Sequence, residues 1–311
     1  MTARVVFMGS PEFAVPSLRA LVTAGYEVVL AVSQPDKPAG RGGRMQAPPV
    51  QLAARELGIE GFQPSTMRDE AVQERLREAA ADVFVVAAYG KILPQAVLDI
   101  PRRGCLNVHA SLLPRWRGPS PIVAAILAGD GETGVSIMRL VRKMDAGPVL
   151  STVRLPIAGD DSAESLEPRL AGAGAAELVR VLPEWLAANI TPVAQDEAEA
   201  TYCHLIAKDD GFLKTGMTLE EAERAVRAYN PWPGAFVRYK GERLGVWKAS
   251  IAPAAPANAG NAAVIARAPA VAFRGGWLLL EEVQKPGGKR LSAQQFLAGE
   301  RGVFGPTVEL G

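Results

Sequence analysis

Over its first 130 residues the chain alternates short apolar runs with amphipathic stretches, the pattern a parallel sheet covered by helices requires. "RVVFMG" (4–9), "YEVVLAVS" (26–33), "DVFVVAAYG" (82–90) and "GCLNVHA" (104–110) read as strands. Between them "FAVPSLRALVTAG", "PVQLAARELG" and "DEAVQERLREAA" read as helices. "PSPIVAAILAGD" adds another, with Ser120 as N-cap, Pro121 at the first helical position and Gly129 just past the end. The expectation is a Rossmann-like, mostly parallel open sheet. Its first strand exits into "GSPEFAVPS", which has one glycine and no G-x-G-x-x-G, so a dinucleotide oxidoreductase is disfavoured.

After Gly134 the texture changes. "GVSIMRL" and "PVLSTVRLPI" read as strands around "VRKMDAG", and "AESLEPRLAGAGAAELVRVLPEWLAA" reads as helix. The polar, aperiodic stretch that follows suits a linker over 190–207, separating a domain of residues 1–189 from one of 208–311. Beyond it, after the helix "LEEAERAVRAYN", strands and turns dominate. "AFVRYKGERLGVWKAS" alternates around a glycine turn and "AVAFRGGWLLLEEVQ" pivots on Gly275-Gly276, which predicts a small OB-like β-barrel.

No run approaches the roughly 18 apolar residues of a membrane span, and "MTARVVFMGS" enters a strand without a targeting leader; a cytoplasmic location is expected. Cys105 and Cys203 stand far apart outside any C-x-x-C spacing, and His109 and His204 are the only histidines, so neither a disulfide framework nor a metal site is indicated. The charge is uneven. Residues 201–311 hold 14 Lys/Arg against 10 Asp/Glu, and residues 1–200 hold 20 against 23. That mild basic excess is compatible with a polyanionic partner and equally with ordinary solvated surface.

In the strand 104–110, alternation puts Asn107 and His109 on one face near its carboxyl end, where open α/β sheets place their ligands. A polar pair can be structural. Here it runs at once into "SLLPRWRG", a turn bearing a Trp and two cations. With "NVHASLLPRWRGPSPI" followed by "GDGETGVSIMRLVRKMDAGPVL", the chain resembles the folate-dependent formyltransferase family. The resemblance implies a catalytic set of Asn107, His109 and Asp145, and a folate wall of Ser111, Leu112, Leu113 and Pro114, in which Leu113-Pro114 is a candidate cis bond. Read alone, "MDAGP" is also ordinary turn chemistry. The donor implied is 10-formyltetrahydrofolate, with no metal.

Within that family the branch acting on methionyl initiator tRNA resembles nearly the whole chain. "VVFMGSPEFAVPSL", "QPDKPAGRGGR", "RAYNPWPGAFVRYKGERLGVWKAS" and "LLLEEVQKPGGKRLSAQQFLAG" carry the match. It implies transfer of formyl to the α-amine of the methionyl group for translation initiation, by a monomer. Residues 34–44 form a cationic Pro/Gly loop holding Lys37, Arg41 and Arg44, and Arg41 falls on the branch's key arginine toward the tRNA acceptor end. Lys208 is a further phosphate-facing candidate; Lys240, Arg243, Lys248, Lys289 and Arg290 could track phosphates or simply be solvated. The aromatics of "NPWPG" are read as packing residues. The family's Ile-Asp-Trp after the linker is here Leu213, Lys214 and Thr215. Two alternatives stay open: a sugar-nucleotide N-formyltransferase, and a non-catalytic tRNA-binding protein.

Overall fold

A computed structural model of the chain describes residues 2–39, 43–252, 258–300, 304 and 308–311. The chain divides into two compact units, one of residues 1–121, 132–156 and 167–204, the other of 122–131, 157–166 and 205–311.

The first unit is built on β1 (Arg4–Gly9), α1 (Val15–Thr23), β2 (Glu27–Val32), β3 (Lys37–Ala39), β4 (Arg44–Gln46), α2 (Pro49–Glu56), β5 (Gly61–Phe62), α3 (Glu70–Glu78), β6 (Val83–Ala87), α4 (Gln95–Leu98) and β7 (Cys105–His109). α5 (Pro121–Ala128), most of which belongs to the second unit, precedes β8 (Glu132–Arg139), β9 (Val149–Pro156) and α6 (Ala163–Leu186). The sheet order is β5-β2-β1-β6-β7-β8-β9, parallel through β7, with β8 and β9 antiparallel. β1 and β6 are almost wholly apolar and buried, as central strands covered on both faces must be. Asp69 starts α3 by accepting the Ala71 amide.

β7 carries the polar pair among buried neighbours. Leu106 and Val108 pack away from solvent, and β8 aligns Met138 with Asn107 and Ser136 with His109. α6 crosses this region at Gly174, where a Cβ would lie 2.8 Å from Val108 Cγ1 and 3.0 Å from Val135 Cγ1. Only a residue without a side chain lets the helix approach so closely. Within and just beyond the stretch 34–44 expected as a loop, Lys37–Ala39 and Arg44–Gln46 pair as the antiparallel strands β3 and β4, with Lys37 opposite Gln46 and Ala39 opposite Arg44. Strands of only three residues, one of them carrying Pro38, are too short to show a period-2 signal.

The second unit is an antiparallel, barrel-like sheet of β10 (Ala235–Tyr239), β11 (Glu242–Ala252), β12 (Ala262–Ile265), β13 (Ala268–Phe273), β14 (Gly276–Gln284), β15 (Arg290–Ser292) and β16 (Val308–Glu309), with α7 (Leu219–Tyr229) and α8 (Ala293–Gly299). Thr218 and Glu221 form a capping box at α7, and Ser292 and Gln295 form another at α8. The core gathers Leu213, Ala222, Val226, Val237, Val271 and Phe296. Leu213 is thus a core residue, and the Thr215 amide donates to Gly311 O at 2.9 Å while the Gly311 amide donates to Leu213 O at 2.8 Å. At the departure from Ile-Asp-Trp, Leu213 is thus buried, Lys214 and Thr215 are exposed, and the Thr215 hydroxyl also donates to Gly311 O at 3.2 Å. In "NPWPG", Asn230 is buried and donates to the carbonyls of Val226, Val246 and Trp247. Trp232 is 59% exposed, so the expectation that it packs is corrected. It lies between two cis prolyl bonds, Asn230-Pro231 and Trp232-Pro233.

Candidate active site

The site is built at the carboxyl end of β7. Asn107 is half-buried, and His109 is 6% exposed. His109 Nε2 lies 3.0 Å from the Trp116 carbonyl; since a carbonyl only accepts, that nitrogen carries the hydrogen. Nδ1 faces Asp145 Oδ2 at 3.8 Å. The same Oδ2 accepts the Gly118 amide at 2.9 Å. His109 from β7 and Asp145 from the loop joining β8 to β9 are therefore brought together, with Asn107 two residues earlier on the same strand.

The turn after β7 is internally braced. Ser111, fully buried, donates its hydroxyl to Arg115 O at 2.7 Å, so that hydroxyl is occupied by the turn itself. Ser136 Oγ donates to Ser111 O and accepts from the Leu113 amide. Leu113-Pro114 is cis. Leu113 and Pro114 line an open cavity of about 320 Å³ together with Val149, Leu150, Val193 and Gln195. Leu112 lies close to Gly134, where a Cβ would come within 2.5 Å of its Cδ2. Gly118 has φ of +120°, and a Cβ on it would sit 2.3 Å from Cys203 O, so glycine is needed where the turn meets the segment beyond α6.

Arg117, which reads in sequence as one of two surface cations, is fully buried. Its Nε donates to Gln195 Oε1 at 3.0 Å, its Nη1 to Tyr202 OH and Glu197 Oε2, and its Nη2 pairs with Glu197 Oε1 at 3.0 Å. Burial disfavours the charge, yet the bonds to Glu197 and Tyr202 outweigh it and raise the Arg117 pKa. Lys143 also bonds Glu197, at 2.6 Å, and the Arg117 and Lys143 hydrogen bonds together push the Glu197 carboxyl down to about 2. No local sequence signal marks this cluster, because its partners lie about eighty residues downstream in an aperiodic stretch. Cys105 is buried and its thiol pushed up to about 12 by desolvation, an inert core group.

Of the expected tRNA contacts, Lys37 and Arg44 stand exposed on the β3–β4 hairpin, Lys37 Nζ donating to Gln34 Oε1 at 2.6 Å. Gln63 fixes the base of this hairpin by donating to Gln34 O and Asp36 Oδ1. Arg41 lies outside the described residues. In the second unit Lys208 opens a 3-10 turn and is exposed. Several of the scattered cations there have internal partners. Lys240 pairs with Glu300 at 2.5 Å, Lys248 with Glu281 at 3.4 Å, Arg243 donates to Pro233 O and Gly234 O, and Arg290 stacks on Trp247 at 3.3 Å. Among the described residues no group of three or more His, Cys, Asp or Glu side chains is arranged to hold a metal, and no helix is long and apolar enough to cross a membrane.

The chain matches the family model "Formyl transferase" over residues 3–182 and "Formyl transferase, C-terminal domain" over 205–301. It is 48% identical to the methionyl-tRNA formyltransferase of Thiobacillus denitrificans, over 95% of this chain and 96% of that protein. Identity to the methionyl-tRNA formyltransferase of Methylococcus capsulatus is 45%, over 94% and 96% of the two chains. Among solved structures, the N-formyltransferase of Helicobacter canadensis in complex with folinic acid and dTDP-3-aminofucose superposes with a TM-score of 0.69 at 14% identity, covering 92% of this chain and 99% of that one; at that identity the likeness is one of fold.

Proposed function

The chain belongs to the formyl transferase family, and from that premise we propose that it transfers the formyl group of 10-formyltetrahydrofolate to the α-amine of the methionyl group on initiator tRNA. The observation that carries this reading is the approach of His109, at the end of β7, to Asp145, in a chain whose likeness to methionyl-tRNA formyltransferases runs through both matched regions. A sugar-nucleotide acceptor finds no comparable full-length support in sequence identity.

The chemistry asked of the site is modest. The amine lone pair attacks the formyl carbon, a C–N bond forms, and the carbonyl oxygen becomes an oxyanion. Collapse breaks the bond to N10 of the folate, which takes a proton while the attacking nitrogen gives one up. Asn107 supplies an amide N–H to the oxyanion, a donor of the kind whose removal costs on the order of 10² to 10³ in rate. His109 is held on one side by Trp116 O, and its Nδ1 faces the Asp145 carboxylate. Its one unprotonated nitrogen, Nδ1, takes the proton that the amine gives up, and the Asp145 carboxylate, which the Gly118 amide keeps aimed at the ring, stabilises the imidazolium that results.

Leu113 and Pro114 would form part of the folate wall, with Ser111 bracing the turn and Leu112 packed against β8. No catalytic step requires more than these side chains and the donor itself. Lys37 and Arg44 on β3 and β4, Arg41 from the sequence between them, and Lys208 in the second unit would meet tRNA phosphates, giving binding that weakens steeply as salt rises. The deciding experiment incubates the protein with the formyl donor and either charged initiator tRNA or an amino-sugar nucleotide and follows formylated product by mass. Formylation of the methionyl-tRNA alone is the expected result; no transfer to it at low salt sinks the reading.

A further inference from the structure

Asp145 adopts φ of +46°, in the left-handed region that residues carrying a Cβ enter uncommonly and hold when their surroundings fix them there. The restraints on its backbone come from a segment far away in sequence. Gln195 Nε2 donates to Asp145 O at 2.8 Å and to Gly147 O at 2.6 Å, gripping the loop on both sides of Ala146. The orientation of that amide is fixed chemically. Its Oε1 faces the Arg117 guanidinium, which has only donors, so its nitrogen must be the end turned toward the two carbonyls. Arg117 is in turn immobilised by Glu197 and Tyr202, and it forms a backbone bridge to the same segment, Arg117 N to Thr201 O at 2.9 Å and Cys203 N to Arg117 O at 2.8 Å. One residue earlier the Trp116 amide donates to Thr201 Oγ1 at 2.9 Å, and the Trp116 carbonyl is the group that holds His109 Nε2.

The geometry points to Gln195 as a positioning residue: the segment from Gln195 to Cys203 straps both members of the His109–Asp145 pair, and Gln195 fixes the loop conformation from which the Asp145 carboxylate reaches the imidazole. Gln195 lines the cavity beside Leu113 and Pro114, but its side-chain amide is engaged by Arg117 and by the carbonyls of Asp145 and Gly147. Its contribution is to hold the carboxylate within the small tolerance proton transfer allows, where a displacement of about 1 Å costs up to about 10²-fold in rate. This inference rests on the formyl-transfer reading above.

Two variants test it. Gln195→Ala deletes the grip. Gln195→Glu keeps volume and strengthens the contact to Arg117, but it turns an acceptor toward Asp145 O and Gly147 O, so a packing role would survive it and a positioning role would not. The expected result is a fall in kcat of roughly 10- to 100-fold in both variants, with KM for the folate donor and for methionyl-tRNA within about two-fold of wild type. The thermal midpoint of Gln195→Glu should stay close to wild type. Wild-type kcat in Gln195→Glu overturns the inference, and so does a rise in tRNA KM at unchanged kcat, which would make the segment a substrate contact. An inactive wild-type protein in the same assay overturns the formyl-transfer reading, and this inference falls with it.

Discussion

Nδ1 of His109 stands 3.8 Å from Oδ2 of Asp145, and that one oxygen also accepts the Gly118 amide at 2.9 Å. A carboxylate held by a backbone amide keeps its orientation when the imidazole moves, so the pair can shorten on substrate binding without the Asp145 side chain reorganising. Catalytic hydrogen bonds are often long before substrate arrives.

Asn107→Ala, His109→Ala and Asp145→Ala should therefore lower kcat by about 10² to 10⁴-fold, with tRNA affinity retained. Single-turnover formylation with saturating donor, alongside filter binding of methionyl-tRNA, separates the two effects. Loss of tRNA binding in step with rate would place these residues outside the chemistry.

Arg117→Met should destabilise the first unit by roughly 1 to 3 kcal/mol, because the half-buried Gln195 Oε1 loses a charged donor. Urea unfolding read at equilibrium gives the number. The methionine fills most of the volume, so a loss near zero would mean that solvent replaces this bond freely.

Gly174→Leu should overpack the interface of α6 with β7 and β8, since even a Cβ there comes within 2.8 Å of Val108 Cγ1. The expected cost is about 1 to 3 kcal/mol. Val108 lies between Asn107 and His109, so kcat should fall with stability; a Gly174→Leu protein of unchanged melting temperature would contradict the close approach.

The Lys240 and Lys285 hydrogen bonds hold Glu300 at about 2, against an ordinary 4.5, with Tyr239 OH donating as well. A depressed carboxyl pKa means stabilisation that is present above about 4.5 and lost as pH falls toward 2. Thermal melts of wild type and Glu300→Gln should differ most near neutral pH and converge between 4.5 and 2. A gap that persists at the lowest pH would assign the effect to packing instead of charge.

Arg41→Ala should raise KM for methionyl-tRNA and leave the folate KM unchanged, and the wild-type dependence of tRNA binding on salt should flatten in a Lys37→Ala, Arg44→Ala double variant. Steady-state kinetics at two salt concentrations are sufficient. Wild-type behaviour in both proteins would leave the hairpin a solvated surface element.

The parallel core was legible because β1, β6 and β7 are buried on both faces and advertise themselves as apolar runs, and because alternation alone put Asn107 and His109 on one side of β7. The Ser120, Pro121 and Gly129 signals bracketed α5 correctly for equally local reasons. What sequence did not show was non-local. Arg117 sits in a turn that reads as surface, and its burial depends on Gln195, Glu197 and Tyr202, which belong to a stretch with neither helical nor strand periodicity. Trp232 misled in the opposite direction, since hydrophobic character states only a preference for burial, and this side chain is 59% exposed.

β9 is the last strand of its sheet, and its outer edge is met at Val149 by Val193 through a reciprocal pair of amide bonds of 2.8 Å. Further along, Arg154, paired with Glu132, and the terminal Pro156 occupy the same strand. A sheet edge with free amides and carbonyls invites a second molecule to add a strand, and charge, proline or a covering segment each discourage it. Two residues before Gln195, the chain thus covers that edge at Val149 before it runs on to position Asp145. Loosening this stretch should show in two ways at once: slower formyl transfer, and a protein that self-associates as its concentration rises.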